Sequence, residues 1–540
     1  LRLSINKAKI SVDLNRRLGV ISPNLYGSTW DWRDSVRGDS VHGGIWVGDD
    51  GTIPHIDGFH PGVIAALKEL SLPVIQFFPQ SPFYNWEDGV GPREKRPRLL
   101  LPWGRVRGHE PVEISNDVGT DEFIRFCRLL GAEPLLDTNE NDPLGSKNWV
   151  EYCNYDGGTK YARLRAEHGH PEPYKVKYWH VYAWGDMEPD AHARDFRKFA
   201  AAARLIDPSI EMIGSAVGGS KWVKAFFETL DRAFTPVMGG ISLVDHMAYM
   251  HYFGVLMKDV DFTDDDYYRL LRNTEGLDDR LREYDATLRF YSQDRQPWAH
   301  NWLQEPYSKQ APQASEMKIV ISEWAVNWAS RICTMRDAIA AAGILDTFHR
   351  WADRIHMALS YNLTGGQALV QTHADKVWVT PTYHLFNMYK PHRNNESVEI
   401  EMECESFEVG QGEGNSDFFG SLSVARDQPL SCLTSSASVN AAGSEVILSV
   451  TNRHLTDEIE AQIALEGANK PVSGTLTLLA AKEIRDYNDG ENPDRVRPQT
   501  EDFEPQDCRF SLNFPPHSIT VIRLNIGPAP LPPPETSPAS

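Results

Sequence analysis

Glu323 follows an apolar run, Ile319-Val-Ile321, and so sits where a buried strand should open onto the end of a sheet. A carboxylate there can act as a nucleophile or a general base, or it can be a buried Glu paired with an Arg. Asp137 and Glu140, in Asp137-Thr-Asn-Glu-Asn-Asp142, follow another apolar run. Either could be a general base whose pKa is raised by desolvation, beside an aromatic slot of Trp30, Phe77, Phe78 and Trp184. The alternative is that these aromatics pack against each other and fill space. His180 lies four residues before Trp184, on the same strand face. With His251 and Glu323 it could form a two-His, one-carboxylate metal set. The three come from different strands, and a lone strand His is more often hydrogen-bonded core.

Strands and helices must bring these groups together. Strand patterns fall at Pro73 to Phe78, Glu133 to Thr138, Val176 to Trp184, Ile210 to Ala216, Met247 to Phe253 and Lys318 to Glu323. Between them lie helical patterns such as Pro61 to Leu70, opened by a proline, and Asp121 to Leu130, with acids at the positive end of its dipole. Met335 to Asp353 reads as one long helix. Repeated strand–helix units over this length predict an α/β architecture, a (β/α)8 TIM barrel spanning about residues 19–385.

Beyond residue 385, Ser444 to Thr451, Glu460 to Leu465 and Ser518 to Leu524 read as strands of a C-terminal all-β sandwich over 386–527. Lys7 to Leu14 is also strand-like. Residues 1–18 are therefore expected to add an N-terminal strand to that sandwich, and the Pro-rich tail 528–540 is expected to be disordered.

Composition narrows the function classes. The 540 residues carry 54 Lys plus Arg against 75 Asp plus Glu, a net charge of -21 that disfavours nucleic acid and anionic membranes as partners. The longest helix-like apolar run, Ala338 to Leu345, is too short for a membrane span, and Leu1-Arg2-Leu3-Ser4 does not read as a signal peptide. A cytoplasmic location is expected, although the start lacks Met and could be trimmed. Six dispersed cysteines form no CxxC or zinc spacing. The 15 Trp and 19 Tyr suit a sugar-binding enzyme or a large core equally well.

Several segments resemble glycoside hydrolase family 51, the α-L-arabinofuranosidases. They are Asn85-Trp-Glu-Asp-Gly-Val-Gly-Pro-Arg-Glu-Lys-Arg-Pro97, Gly119-Thr-Asp-Glu-Phe123, Trp149-Val-Glu-Tyr-Cys-Asn154 and Gly169-His-Pro-Glu-Pro-Tyr174. Further on come Ile321-Ser-Glu-Trp324, Val379-Thr-Pro-Thr-Tyr383 and Leu448-Ser-Val-Thr-Asn-Arg-His454. They run in family order and cover nearly the whole chain. The resemblance implies a (β/α) barrel plus β-sandwich and a retaining hydrolase of glycosidic bonds. Such an enzyme places a nucleophile at the end of strand 7 and an acid/base at the end of strand 4, roughly 5 to 5.5 Å apart.

By that resemblance Glu323 is the nucleophile. Strand 4 departs: the family's Trp-Gly-x-Gly-Asn-Glu-Met becomes Trp179-His-Val-Tyr-Ala-Trp-Gly-Asp-Met187. Without a gap, the Asn-Glu pair falls on Ala183-Trp184 and the acid is absent. With a two-residue insertion, Asp186 carries the proton, and Glu188 is a third option. His180 stands where the family has Gly, Asp31 takes the place of the Glu after the first strand, and a Gln near strand 8 falls on Tyr361. The segment Gln76-Phe-Phe-Pro-Gln-Ser-Pro82, with Phe77 in it, replaces a longer polar loop. His251 keeps a polar residue that the family places near the nucleophile.

Scaffold motifs persist while sugar-contacting positions change, which suggests a rebuilt pocket. The readings left open are a retaining glycosidase of altered specificity, a repurposed barrel with an aromatic-lined pocket, and a catalytically silent carbohydrate-binding homologue. The resemblance implies no cofactor. It implies a small-molecule or oligosaccharide substrate and, by analogy, homo-oligomers.

Overall fold

The computed structural model describes residues 6–31, 44–48, 53–78, 84–101, 112–138, 142–183, 188–216, 219–232, 243–254, 258–293, 309, 316–327, 331–365, 367–407, 409, 429–468 and 473–526. Strand β1 (Asn6–Val20) precedes eight barrel strands. These are β2 (Gly27–Trp30), β3 (Val74–Phe77), β4 (Glu133–Thr138), β5 (Tyr178–Val181), β6 (Glu211–Ala216), β7 (His246–Gly254), β8 (Lys318–Asn327) and β9 (Ile355–Tyr361). All eight pair in parallel, each with its neighbours in sequence, and β9 closes on β2.

The alternation of side chains decides what each strand gives to the barrel interior. Val74, Leu135, Tyr178, Ile213, Ala248, Val320, Met357 and Leu359 point inward and form a packed apolar layer. Gly27 belongs to this crowded zone: a Cβ there would lie 2.5 Å from Leu359 and 2.6 Å from Val74. Their neighbours on the other face, such as Ile75, Phe77, Met247 and Ile321, join the core between sheet and helices.

Six barrel strands match the sequence expectation, while β2 and β9 carried no clear signal. The first has only four residues, and the second begins five residues after the buried helix Met335–Arg350 ends. That helix stops three residues before the expected Asp353, at a Trp351 whose backbone has left the helical region.

The family-like motifs hold this scaffold together. Arg96 clamps Glu122 through Nη2 and Nη1 at 2.9 and 3.0 Å, and donates to the carbonyls of Gly91 and Asn116. Glu122 also accepts from the Gly119 amide at 3.0 Å, capping the helix Thr120–Leu130. A Cβ on Gly119 would meet the Gly89 carbonyl at 1.7 Å, so the two segments touch backbone to backbone. Trp86 stacks on Trp149 with planes 2° apart. His168 in the adjoining loop shares a hydrogen bond with Tyr152 at 3.2 Å.

The C-terminal strands are β10 (Glu396–Glu403), β11 (Leu433–Val439), β12 (Glu445–Asn452), β13 (Ile459–Glu466), β14 (Ser473–Ala480), β15 (Gln499–Phe503), β16 (Arg509–Phe514) and β17 (Ser518–Asn525). With β1 they form a nine-stranded sheet in the order β15-β14-β17-β12-β11-β10-β1-β13-β16. Strand β1 runs antiparallel to β10 and parallel to β13, so the N-terminal strand joins the C-terminal β domain. Its Ile10 and Val12 share one core with Ile463, Leu448 and Ile522. A buried carboxylate fastens this domain to the barrel. Asp346, on the helix Met335–Arg350, accepts from Ser436, Thr434 and Tyr389 at 2.7, 2.9 and 3.1 Å. The Pro-rich tail lies outside the described residues.

Candidate active site

A one-residue irregularity in β8 aims the central carboxylate. Its register with β7 runs Val320 beside Ala248 and Ile321 beside Tyr249, then resumes with Glu323 beside Met250 and Ala325 beside Tyr252. Ser322 is the extra residue. Strict alternation along the strand would leave Glu323 in the outward phase of Ile319 and Ile321. With the alternation broken there, Glu323 joins Met250, Tyr252 and Ala325 on the inner wall, and Trp324 turns outward to stack on Phe386. A β-bulge that re-aims one side chain is a recurrent device beside active sites.

Glu323 is 1% exposed. The Tyr252 hydroxyl donates a short hydrogen bond to Oε2, and Oε1 has no hydrogen-bond partner among the described residues. Burial pushes its pKa up to about 8. The Tyr252 hydrogen bond opposes the shift, and the Asp137 and Asp31 carboxylates add to it. Asp31 is buried and accepts from the Tyr361 hydroxyl at 2.9 Å, while its amide donates to Asn362 at 3.2 Å. The Tyr361 and Tyr252 rings meet edge to face. Glu323, Tyr252, Asp31 and Tyr361 thus share one end of the barrel.

A second polar chain lines the wall across β2 to β6. Thr29 donates to Gln76 at 2.8 Å, and Gln76 Nε2 donates to both Asp137 oxygens at 3.0 and 2.9 Å. His180 Nδ1 lies 2.9 Å from Asp137, and its Nε2 lies 2.8 Å from the Ser215 hydroxyl. Both ring nitrogens are engaged, so His180 is a satisfied bridge rather than a free ligand.

Several expected neighbours face elsewhere. His251 points from the outer face of β7, where its Nδ1 meets the Tyr249 hydroxyl at 3.1 Å and its ring packs on Phe253. Burial lowers its pKa to about 4, with Arg280 adding to the effect. Placing it beside the nucleophile is therefore corrected by one residue: Tyr252 is the strand-6 partner of Glu323. The proposed His180, His251 and Glu323 metal set is divided by the same strand wall. Phe77 and Trp30 also face outward, Phe77 on Phe123 at 4.8 Å and Trp30 on Phe126 at 4.9 Å between ring centroids. Of the expected aromatic slot, Phe78 meets Tyr182 at 5.2 Å. Glu188 is exposed at the N-cap of the helix Pro189–Ile206. Trp184, Asp186 and Glu140 lie outside the described residues.

Sequence reasoning passed over Tyr252 and the bridging roles of Gln76 and Ser215. Counting by twos from Ala248 would have found Tyr252, and from Val74 would have found Gln76.

A barrel with a buried carboxylate at the end of its seventh strand and a β domain behind it belongs among the glycoside hydrolases in architecture, and comparison with known proteins narrows the class. Residues 75–254 match the family model described as the α-L-arabinofuranosidase 1 domain, and residues 322–518 match the α-L-arabinofuranosidase C-terminal domain. An intracellular exo-α-L-arabinofuranosidase of Bacteroides ovatus is 27% identical, with 96% of this chain and 95% of the relative aligned. An intracellular exo-α-(1→5)-L-arabinofuranosidase of Acetivibrio thermocellus is 30% identical over 66% of this chain and 69% of the relative. The crystal structure of the Thermotoga maritima α-L-arabinofuranosidase in complex with arabinose superposes with a TM-score of 0.76 at 25% identity, covering 96% of this chain and all of that one. The chain belongs to glycoside hydrolase family 51, the α-L-arabinofuranosidase family, and is a glycoside hydrolase. The comparisons do not favour the repurposed or silent readings.

Proposed function

We propose that the chain is a retaining, exo-acting α-L-arabinofuranosidase in which Glu323 is the nucleophile and Asp186 the acid/base. The observation that carries this reading is Glu323 itself: one oxygen is held by Tyr252, and the other is buried without a hydrogen-bond partner among the described residues. In the first step a Glu323 oxygen attacks the anomeric carbon, the bond to the leaving oxygen breaks, and Asp186 gives that oxygen its proton. In the second, Asp186 takes a proton from water, whose oxygen displaces Glu323 and regenerates the free carboxylate. Tyr252 is a positioning residue that stabilises the ionised form. Asp31 and Tyr361 are proposed to contact the sugar, with His180 holding Asp137 in place behind them.

The substrate class rests on the relatives' names, which point to terminal α-L-arabinofuranosyl residues. The same names support a location inside the cell. No helix among the described residues is long and apolar enough to cross a membrane.

The test is a panel of aryl α-L-arabinofuranosides and β-glucosides, with Glu323→Gln and Asp186→Asn as variants. Turnover of the arabinofuranosides that vanishes in Glu323→Gln supports the assignment. Asp186→Asn should lose ~10² to 10⁴-fold on poor leaving groups and far less on activated ones. Binding without turnover in the wild type would leave a carbohydrate-binding protein instead.

A further inference from the structure

At the opposite end of the barrel, three side chains converge that the hydrolytic reaction does not use. Glu211 opens β6, His246 opens β7, and His356 lies near the start of β9. The register of β8 with β9 slips there, from Ile319 beside Ile355 to Val320 beside Met357, and the extra residue is His356. Its ring stacks on His246 with centroids 4.1 Å apart and planes 11° apart. His246 Nε2 lies 3.1 Å and His356 Nε2 3.4 Å from one oxygen of Glu211, Oε2.

We propose that Glu211, His246 and His356 form a binding site for one zinc-class divalent metal ion that ties together the N-terminal ends of β6, β7 and β9. A ligand atom from each of the three lies within 4.8 Å of the other two. Metal–ligand bonds of about 2.0–2.1 Å in a tetrahedron put ligands roughly 3.3–3.4 Å apart, so the two nitrogen–oxygen separations already suit such an ion. Two imidazoles and one carboxylate favour zinc and its neighbours over calcium or magnesium, which prefer all-oxygen sites. The other Glu211 oxygen is held by the Lys177 ammonium at 2.8 Å, which fixes the carboxylate and leaves Oε2 to the histidines. His356 Nε2 and His246 Nδ1 are buried atoms without a hydrogen-bond partner among the described residues.

The His356 and Glu211 side chains are 23% and 14% exposed, so water can complete the coordination. The apolar layer of Val74, Leu135, Ile213, Ala248, Val320, Met357 and Leu359 separates this cluster from Glu323. Its role is therefore structural, as the N-terminal face of such a barrel generally is.

The experiment uses the full chain, stripped with a chelator and titrated with zinc by calorimetry, with zinc content measured after gel filtration and melting followed with and without zinc. One zinc per chain and a raised Tm are expected. His356→Gln and Glu211→Gln, each checked by circular dichroism for folding, should weaken binding at least ~10- to 100-fold and abolish the Tm rise. Wild-type protein that takes up no zinc overturns the proposal, as does stoichiometric binding that persists in both folded variants.

Discussion

The Tyr252 hydroxyl and the Glu323 carboxylate meet across adjacent strands because the bulge at Ser322 breaks the alternation of β8 and brings Glu323 onto the inner wall of the barrel. The tyrosine is the only hydrogen-bond donor to that carboxylate among the described residues, in a site whose other nearby charges, Asp137 and Asp31, oppose ionisation. Among the described residues, one hydroxyl thus favours the ionised form of Glu323 at neutral pH.

Removing that hydroxyl should be costly. A hydrogen bond to a charged group contributes about 1.5–3 kcal/mol, so Tyr252→Phe is expected to lower kcat/KM ~10- to 100-fold at neutral pH. The loss should shrink as pH rises, because ionisation of Glu323 moves further up. A pH-independent loss would show that Tyr252 acts on the sugar and not on the carboxylate.

The wild-type profile carries the same signature. As the proposed nucleophile Glu323 must be ionised to attack, and its pKa is pushed up to about 8, so on activated aryl substrates, whose leaving group needs no proton from Asp186, kcat/KM should climb as pH rises through that value. A profile already flat from pH 5 upward would contradict the burial argument.

Stability should run the other way. The folded-state pKa of Glu323 lies above its ordinary 4.5, so the folded protein favours the protonated form. The cost of ionising it is absent below pH 4.5, grows as pH rises to about 8, and stays constant above. Each pKa unit corresponds to about 1.4 kcal/mol. Glu323→Gln should therefore raise Tm over the wild type at pH 8 and leave it nearly unchanged at pH 4. Melting curves at the two pH values decide this, and equal shifts would sink the linkage.

His180 and His251 should separate stability from catalysis. His180→Ala removes one hydrogen-bond partner each from Asp137 and Ser215 and opens a cavity in a buried wall, and is expected to destabilise the fold by about 2–4 kcal/mol in urea. His251→Phe, on the outer face of β7, should change stability while holding kcat within ~3-fold, since it meets none of the inner-wall groups. A His251 variant that folds normally but loses most turnover would restore it to the active site.

Much of the architecture was legible because it repeats. Six strands, the helices between them and the all-β C-terminal texture follow from periodicity, and the family-like motifs coincide with Arg96, Glu122, Gly119 and Trp86, which hold the loops of this scaffold together. The site was less so, since strand phase has a period of two and one inserted residue reverses it. Glu323 is legible from the family-like Ile321-Ser-Glu-Trp324, and the apolar run before it places it at the end of a buried strand. Tyr252, its partner, lies one position beyond the more conspicuous His251, and Gln76 one position before Phe77, each on the opposite face of its strand. The bulge at Ser322 leaves no mark in composition, and the bridge from Asp137 through His180 to Ser215 joins three strands that local sequence does not connect.

The central claim is that Glu323 forms the covalent glycosyl-enzyme. Incubation with an activated aryl 2-deoxy-2-fluoro-α-L-arabinofuranoside, followed by digestion and mass spectrometry, reads this directly. One fluoroarabinosyl unit per chain on the peptide containing Glu323, absent in Glu323→Gln, is the expected result. Label on another carboxylate such as Asp137, or turnover of aryl arabinofuranosides that survives in Glu323→Gln, would contradict it.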